Sequence, residues 1–97
     1  MIRHIVLARF RPDADEAARQ AVRDAIAGLR HQIPGIVDMR WGDDIGRKAA
    51  SADFAVVIDF VDRAAFAAYG THPAHRAYAE GAGKAAIEGI TVVQHEL

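Results

Sequence analysis

The stretch "IRHIVLARFR" (residues 2–11) decides the fold, because it reads as a β-strand that is apolar on both sides. Successive side chains of a strand point to opposite faces. One face therefore carries Ile2, His4, Val6, Ala8 and Phe10, and the other Arg3, Ile5, Leu7, Arg9 and Arg11. A sheet with one wetted face alternates cleanly between apolar and polar residues. Here the middle of each face is apolar, so both faces need cover.

Outward from this strand, Pro12 breaks the run, and Asp13 with Glu16 three residues later has the spacing of a capping box. Ala14, Ala17, Ala18, Ala21, Val22, Ala25, Ile26 and Leu29 follow helical spacing, with Arg19, Arg23, Asp24 and Arg30 on the opposite side. Pro34-Gly35 stops that helix and turns the chain. "IVDMRWG" (residues 36–42) is a second strand, and "GDDIGRKAASA" (residues 42–52) is a connection long enough for a lid or a mobile loop. "DFAVVIDFV" (residues 53–61) is a third strand, with Phe54, Val56, Ile58 and Phe60 on one side and Ala55, Val57, Asp59 and Val61 on the other. Asp62 is placed to cap a helix running through Tyr69 and ended by Gly70. Thr71 or His72 then caps a second piece that Pro73 begins. "GITVVQHEL" (residues 89–97) closes the chain as a fourth strand.

The order is βαββαβ, an α+β arrangement of ferredoxin-like type with helices on one face of an antiparallel sheet, in a single domain over residues 1–97. The helix-free face then presents Ile5, Leu7, Ala55, Val57 and Val93 to water. A two-fold homodimer that packs this face on its twin resolves the problem, and two sheets closed in this way make a dimeric α/β barrel. Composition agrees. The chain is 52% hydrophobic, but 21 of its residues are alanine and only three are leucine. Alanine favours helix yet fills little volume, and a chain of this size buries only ~65% of its unfolded surface. A partner subunit completes such a thin core.

Twelve Lys and Arg against 13 Asp and Glu leave no basic stripe for nucleic acid, and no cysteine is present for a disulfide or a thiolate metal site. The apolar start is broken by Arg3, His4 and Arg9, so neither a membrane span nor a leader is expected, and a cytoplasmic protein is.

Chemistry concentrates in "YGTHPAHRAY" (residues 69–78). His75 falls at the third position of a helix begun by Pro73, where the positive end of the helix dipole disfavours imidazolium. A neutral imidazole can take a proton. Tyr69 can donate a hydrogen bond to a substrate carbonyl, and His4 shares the helix-covered face with Val6 and Ala8. Each residue has a structural reading too. His72 is a natural cap, Tyr69 a core aromatic with a satisfied hydroxyl, and His4 a half-buried strand histidine. His31 and His95 carry no evident chemistry. His72 and His75 lack a third histidine nearby, even with Asp43 or Asp44 to add oxygen, so no metal is expected.

"RHIVLARF", "IPGI", "WGDDI" and "YGTHPAH", in this order along most of the chain, resemble the stress-responsive dimeric α/β-barrel (Dabb) family. The resemblance implies the ferredoxin-like fold and the homodimeric barrel. A plant cyclase of that family closes a linear polyketide by aldol condensation without metal or organic cofactor. Its pattern implies His75 and Tyr69 as catalytic residues, with no cofactor. It further implies His4, Val6, Ala8, Val22, Ile26, Val56 and Ile58 around a small apolar or aromatic ligand; the residues themselves offer His4 or His72 as a positioning group in that site. Ile26 replaces an aromatic lining residue. Where the cyclase orients its histidine with a carboxylate, this chain has Gln94, with Glu96 the nearest acid. Two readings therefore stand. One is a cofactor-independent cyclase or isomerase acting on a carbonyl compound. The other is a non-catalytic dimer that binds a small ligand or serves stress tolerance.

Overall fold

Strand β1 (Ile2–Phe10) runs through the interior of a four-stranded antiparallel sheet of order β2-β3-β1-β4. The other strands are β2 (Ile36–Asp43), β3 (Phe54–Phe60) and β4 (Ile87–Glu96). Helix α1 (Glu16–Gln32) joins β1 to β2, and α2 (Arg63–Thr71), α3 (Pro73–Tyr78) and the single turn α4 (Lys84–Ala86) join β3 to β4. The computed structural model describes residues 1–46 and 48–97. Each helical connection joins two parallel strands that enclose an antiparallel third, which is the ferredoxin-like arrangement expected from the strand and helix order.

In β1 and β3 the expected strand parity holds. Ile2, His4, Ala8, Phe10, Phe54, Val56, Ile58 and Phe60 are buried beneath the helices with Val22, Ile26 and Leu29 of α1. Phe60, Ile58 and Val22 are the largest side chains sealed completely. The opposite face carries Leu7 and Val93, 42% and 54% exposed in the single chain. In the sheet Ile5 lies between Val57 and Val93, and Leu7 between Ala55 and Thr91. At one end of this face Arg3 grips Asp59 with two hydrogen bonds of 2.8 and 2.9 Å.

Several boundaries move. Asp15, not Asp13, caps α1, its carboxylate accepting from the Ala18 amide at 2.8 Å, because the chain makes one more turn after Pro12 before the helix begins. Asp62 caps α2 as expected, accepting from the Ala65 amide at 2.8 Å. Gly70 does not end α2; the helix runs on to Thr71, and His72 closes it and opens α3. Strand β4 begins at Ile87, two residues earlier than its sequence pattern. The long connection after β2 is held at its base, where the Asp44 amide donates to the Asp53 carbonyl and the Asp53 amide to the Ala8 carbonyl, each at 2.9 Å. Arg47, within that connection, lies outside the described residues.

Gly35 turns the chain from α1 into β2 with φ of 91°, and a Cβ there would lie 2.5 Å from the Ala65 Cβ of α2. Gly35→Ala therefore combines backbone strain with overpacking, a loss of about 2 kcal/mol or more. A lower urea midpoint at unchanged slope is the expected result.

Candidate functional site

Between the sheet and its helices lies a cavity of about 390 Å³ with a mostly apolar wall. The sheet contributes His4, Val6, Ala8, Met39, Phe54, Val56 and Ile58 to it, and α1 contributes Ile26. Tyr69 enters from the last turn of α2 and His75 from the third position of α3. Local chemistry sets that placement. His72 leaves helical geometry between the two helices, its Nδ1 accepts from the Ala74 amide at 3.0 Å, and Pro73 follows at the first helical position. The corner aims both rings inward. Their centroids are 4.5 Å apart, and the His4 ring stands 6.0 Å from Tyr69 and 5.2 Å from Phe66.

The polar atoms of these three residues are sparsely satisfied. Among the described residues His75 Nδ1 is sealed from solvent without a well-formed hydrogen bond. Native structures leave few buried polar atoms in that state. The Tyr69 hydroxyl makes no hydrogen bond to a described residue, so its structural reading as a satisfied core aromatic does not fit. Burial holds the His75 pKa below the ordinary histidine value, with a weaker opposing effect from the Gly70 backbone. Burial, and secondarily Tyr78, pushes the Tyr69 phenol up to about 12. His4 is also lowered, by burial first, with Gln94 opposing and His75 reinforcing the shift. The cavity thus holds neutral imidazoles beside a phenol that keeps its proton.

Sequence reasoning brought together His4, Val6, Ala8, Ile26, Val56, Ile58, Tyr69 and His75, which all line the cavity. It placed three residues there that the structure puts elsewhere. His72 does not line the cavity, because its ring is turned back to cap α3. Val22 is buried one helical turn from Ile26, in the core rather than on the wall. Gln94 reaches the site only through His4, its Oε1 lying 2.8 Å from His4 Nδ1. Neither Gln94 nor Glu96 supports His75, since Glu96 pairs with Arg63 at the sheet edge.

Missed on the sheet were Met39 and Phe54; the other residues missed form the far wall: Tyr78, Ala79, Gly83, Lys84 and Ile87 to Ile90. Here α3 widens into a π-type turn over Ala79–Gly83, with Gly81 at φ −103° and ψ −105°, outside helical geometry. Gly83 leaves room for Tyr78, whose ring and carbonyl would stand 3.1–3.2 Å from a Cβ there. The register then shifts where Phe10 pairs with Ile87 while Arg9 pairs with Gly89, so Glu88 is an extra residue in β4. That bulge brings Glu88 to the cavity beside Lys84.

Among the described residues, no helix is long and apolar enough to cross a membrane. Among solved structures, a dimeric ferredoxin-like protein of unknown function from Thermobifida fusca YX is 33% identical, with a TM-score of 0.87 over 99% of this chain and 90% of that one. A dimeric ferredoxin-like protein of unknown function from Jannaschia sp. CCS1 is 28% identical, with a TM-score of 0.77 over 99% and 98%. The hydroxynitrile lyase from Passiflora edulis is 22% identical, with a TM-score of 0.87 over 99% and 92%, a likeness of fold alone. No curated protein matches the sequence. The sequence profile of the stress responsive A/B barrel domain, Dabb, matches residues 2–96, and the chain belongs to that family.

Proposed function

We propose that this protein is a homodimer, paired through the helix-free sheet face, whose cavity carries out cofactor-independent proton transfer on a small carbonyl compound with an apolar body. The observation that carries this reading is the pairing of the His75 and Tyr69 rings, 4.5 Å apart, in one mostly apolar cavity that both residues line. Such a pair is arranged for enolisation. The Tyr69 hydroxyl donates to the substrate carbonyl oxygen. His75 takes the α-proton, the C–H electron pair moves into the enolate, and the negative charge settles on the oxygen that Tyr69 holds. Return of the proton to the opposite face of the carbon inverts its configuration; attack of the enolate on a second carbonyl closes a ring, and the proton held by His75 passes to the new alkoxide. Val6, Ala8, Val56 and Ile58 exclude water from the apolar body of the ligand. A hydroxynitrile lyase with this fold supports a catalytic use of the cavity.

Incorporation of deuterium α to the carbonyl of 2-heptanone in D₂O tests the reading without knowledge of the natural substrate. Exchange above the buffer rate that Tyr69→Phe and His75→Ala both abolish is expected; exchange unaffected by either variant overturns it. The pH profile has a defined sign. The base is neutral His75, whose pKa is depressed by burial, so the neutral form persists below the ordinary value of 6.5. The midpoint of the acid limb should therefore fall below 6.5, with exchange lost as pH drops through it. A midpoint above that value contradicts the assignment.

One observation favours the non-catalytic reading. Among the described residues no carboxylate orients His75: Gln94 is engaged by His4 and Glu96 by Arg63. On that reading the cavity binds a small apolar or aromatic ligand, and His75→Ala leaves its affinity largely unchanged.

A further inference from the structure

The mechanism above leaves His4 unused, although it is among the few buried polar side chains and lines the same cavity. Its surroundings differ from those of His75. In the register of β1 and β4, His4 faces Gln94 directly, and His4 faces Ile58 across β3. Above it stand Phe66 and Tyr69 of α2. The titratable groups that share its cavity are Tyr69, His75, Tyr78, Lys84 and Glu88, and no hydrogen bond or ion pair among the described residues brings a carboxylate to His4.

The hydrogen bond itself determines the state of the ring. An amide oxygen has lone pairs and no hydrogen, so it can only accept. His4 Nδ1, 2.8 Å from Gln94 Oε1, must therefore carry the proton. The neutral ring then bears its lone pair on Nε2. That atom makes no hydrogen bond to a described residue, and it is not among the side-chain atoms sealed without a partner, so it opens to the cavity. A carboxylate in place of Gln94 would hold the same Nδ1 proton but also favour imidazolium, which has no lone pair left to offer. The neutral amide fixes the orientation without charging the ring.

We infer that Gln94 is a positioning residue that locks His4 in its Nδ1–H form, and that His4 Nε2 gives the cavity a second proton acceptor, suited to the hydroxyl of a neutral phenol- or enol-type ligand. This rests on the cavity being the ligand site, and it extends that reading to the ligand class. An enolisable carbonyl compound that also carries a hydroxyl would be held at two points, its carbonyl oxygen by Tyr69 and its hydroxyl by His4.

The test reads His4 directly by ¹⁵N NMR of the intact protein, independent of turnover. Wild type near neutral pH should show a pyrrole-type Nδ1 and a pyridine-type Nε2. Gln94 is exposed at the edge strand, so its variants should fold. Gln94→Leu should mix the two tautomers, and Gln94→Glu should keep Nδ1–H while raising the His4 titration midpoint by roughly one pH unit or more. A protonated Nε2 in neutral wild type, or a Gln94→Leu protein with unchanged tautomer, overturns the inference. Added 4-ethylphenol should shift Nε2 as it donates its hydroxyl, and ethylbenzene should not. Equal response to both overturns the acceptor role alone; response to neither overturns it together with the cavity reading.

Discussion

His75→Ala is expected to slow α-deuteration of a bound ketone by roughly 10²–10⁴-fold, the ordinary worth of a positioned general base. This is the largest effect on activity that the geometry implies. The stability arm separates chemistry from packing. The His75 ring contacts Tyr69 and lies 6.3 Å from Tyr78, so truncation to alanine also removes apolar contact. His75→Phe keeps a planar ring there and deletes the Nδ1, which lacks a well-formed hydrogen bond among the described residues. Removing a buried, unsatisfied polar atom relieves a desolvation penalty rather than creating one. His75→Phe should therefore melt at or above the wild-type temperature while being as inactive as His75→Ala. If His75 served only to fill a corner, the phenylalanine protein would retain whatever the cavity does. A loss of ~1 kcal/mol shifts Tm by about 4–8 °C in a domain this small, well within reach of a thermal melt.

Tyr69→Phe should show the companion effect. Deleting one hydrogen-bond donor to a developing oxyanion costs roughly 10²–10³-fold. The phenol pKa of about 12 means the hydroxyl stays protonated across the whole working range, so this loss should not vary with pH below 9. The acid limb set by His75 should remain in place for any residual exchange.

How much of this was legible beforehand depends on the element. Strand parity was sufficient for the face of the sheet-side wall: a period of two puts His4, Val6, Ala8, Val56 and Ile58 under the helices, but Ile2, Phe10 and Phe60 share that face, and it was the family resemblance that singled out the lining positions. The corner at His72-Pro73 was equally readable, because proline at the first helical position and a polar cap before it are local signals. The wall from Tyr78 to Ile90 was not. "AEGAGKAAIEG" (residues 79–89) is alanine and glycine with few large side chains to set a period, and the structure departs from regular geometry twice within it, at the wide turn and at the bulge. A bulge shifts parity by one, so Glu88 could not be assigned to a face from spacing. The partner of Gln94 was hidden for a related reason. It follows from the register of β1 against β4, which pairs His4 with Gln94 and is a tertiary fact. His72 shows the reverse case, a residue whose structural reading, as a cap, accounts for its position fully.

Leu7→Asp is expected to convert the protein from a dimer to a monomer at micromolar concentration. Leu7 is 42% exposed in the single chain and stands on the face away from the cavity, so aspartate there costs the lone subunit little. In the proposed dimer the same site is covered, and two-fold symmetry places the substituted residue in the interface twice. Burying an unpaired carboxylate costs several kcal/mol, which is several decades in dissociation constant when doubled. The flanking surface favours a second copy of this chain. Ile5, Val57 and Val93 form an apolar row across three strands, and at the Arg3 end of this face the bidentate Arg3–Asp59 pair already neutralises the charge. Both β2 and β4 are edge strands, and two sheets closed on each other protect those edges. Sedimentation velocity of wild type, Leu7→Asp and Leu7→Met decides the matter. Methionine keeps the volume and should keep the dimer. Wild type sedimenting as a monomer at about 5 μM, or Leu7→Asp remaining a dimer, would remove the proposed face from the interface.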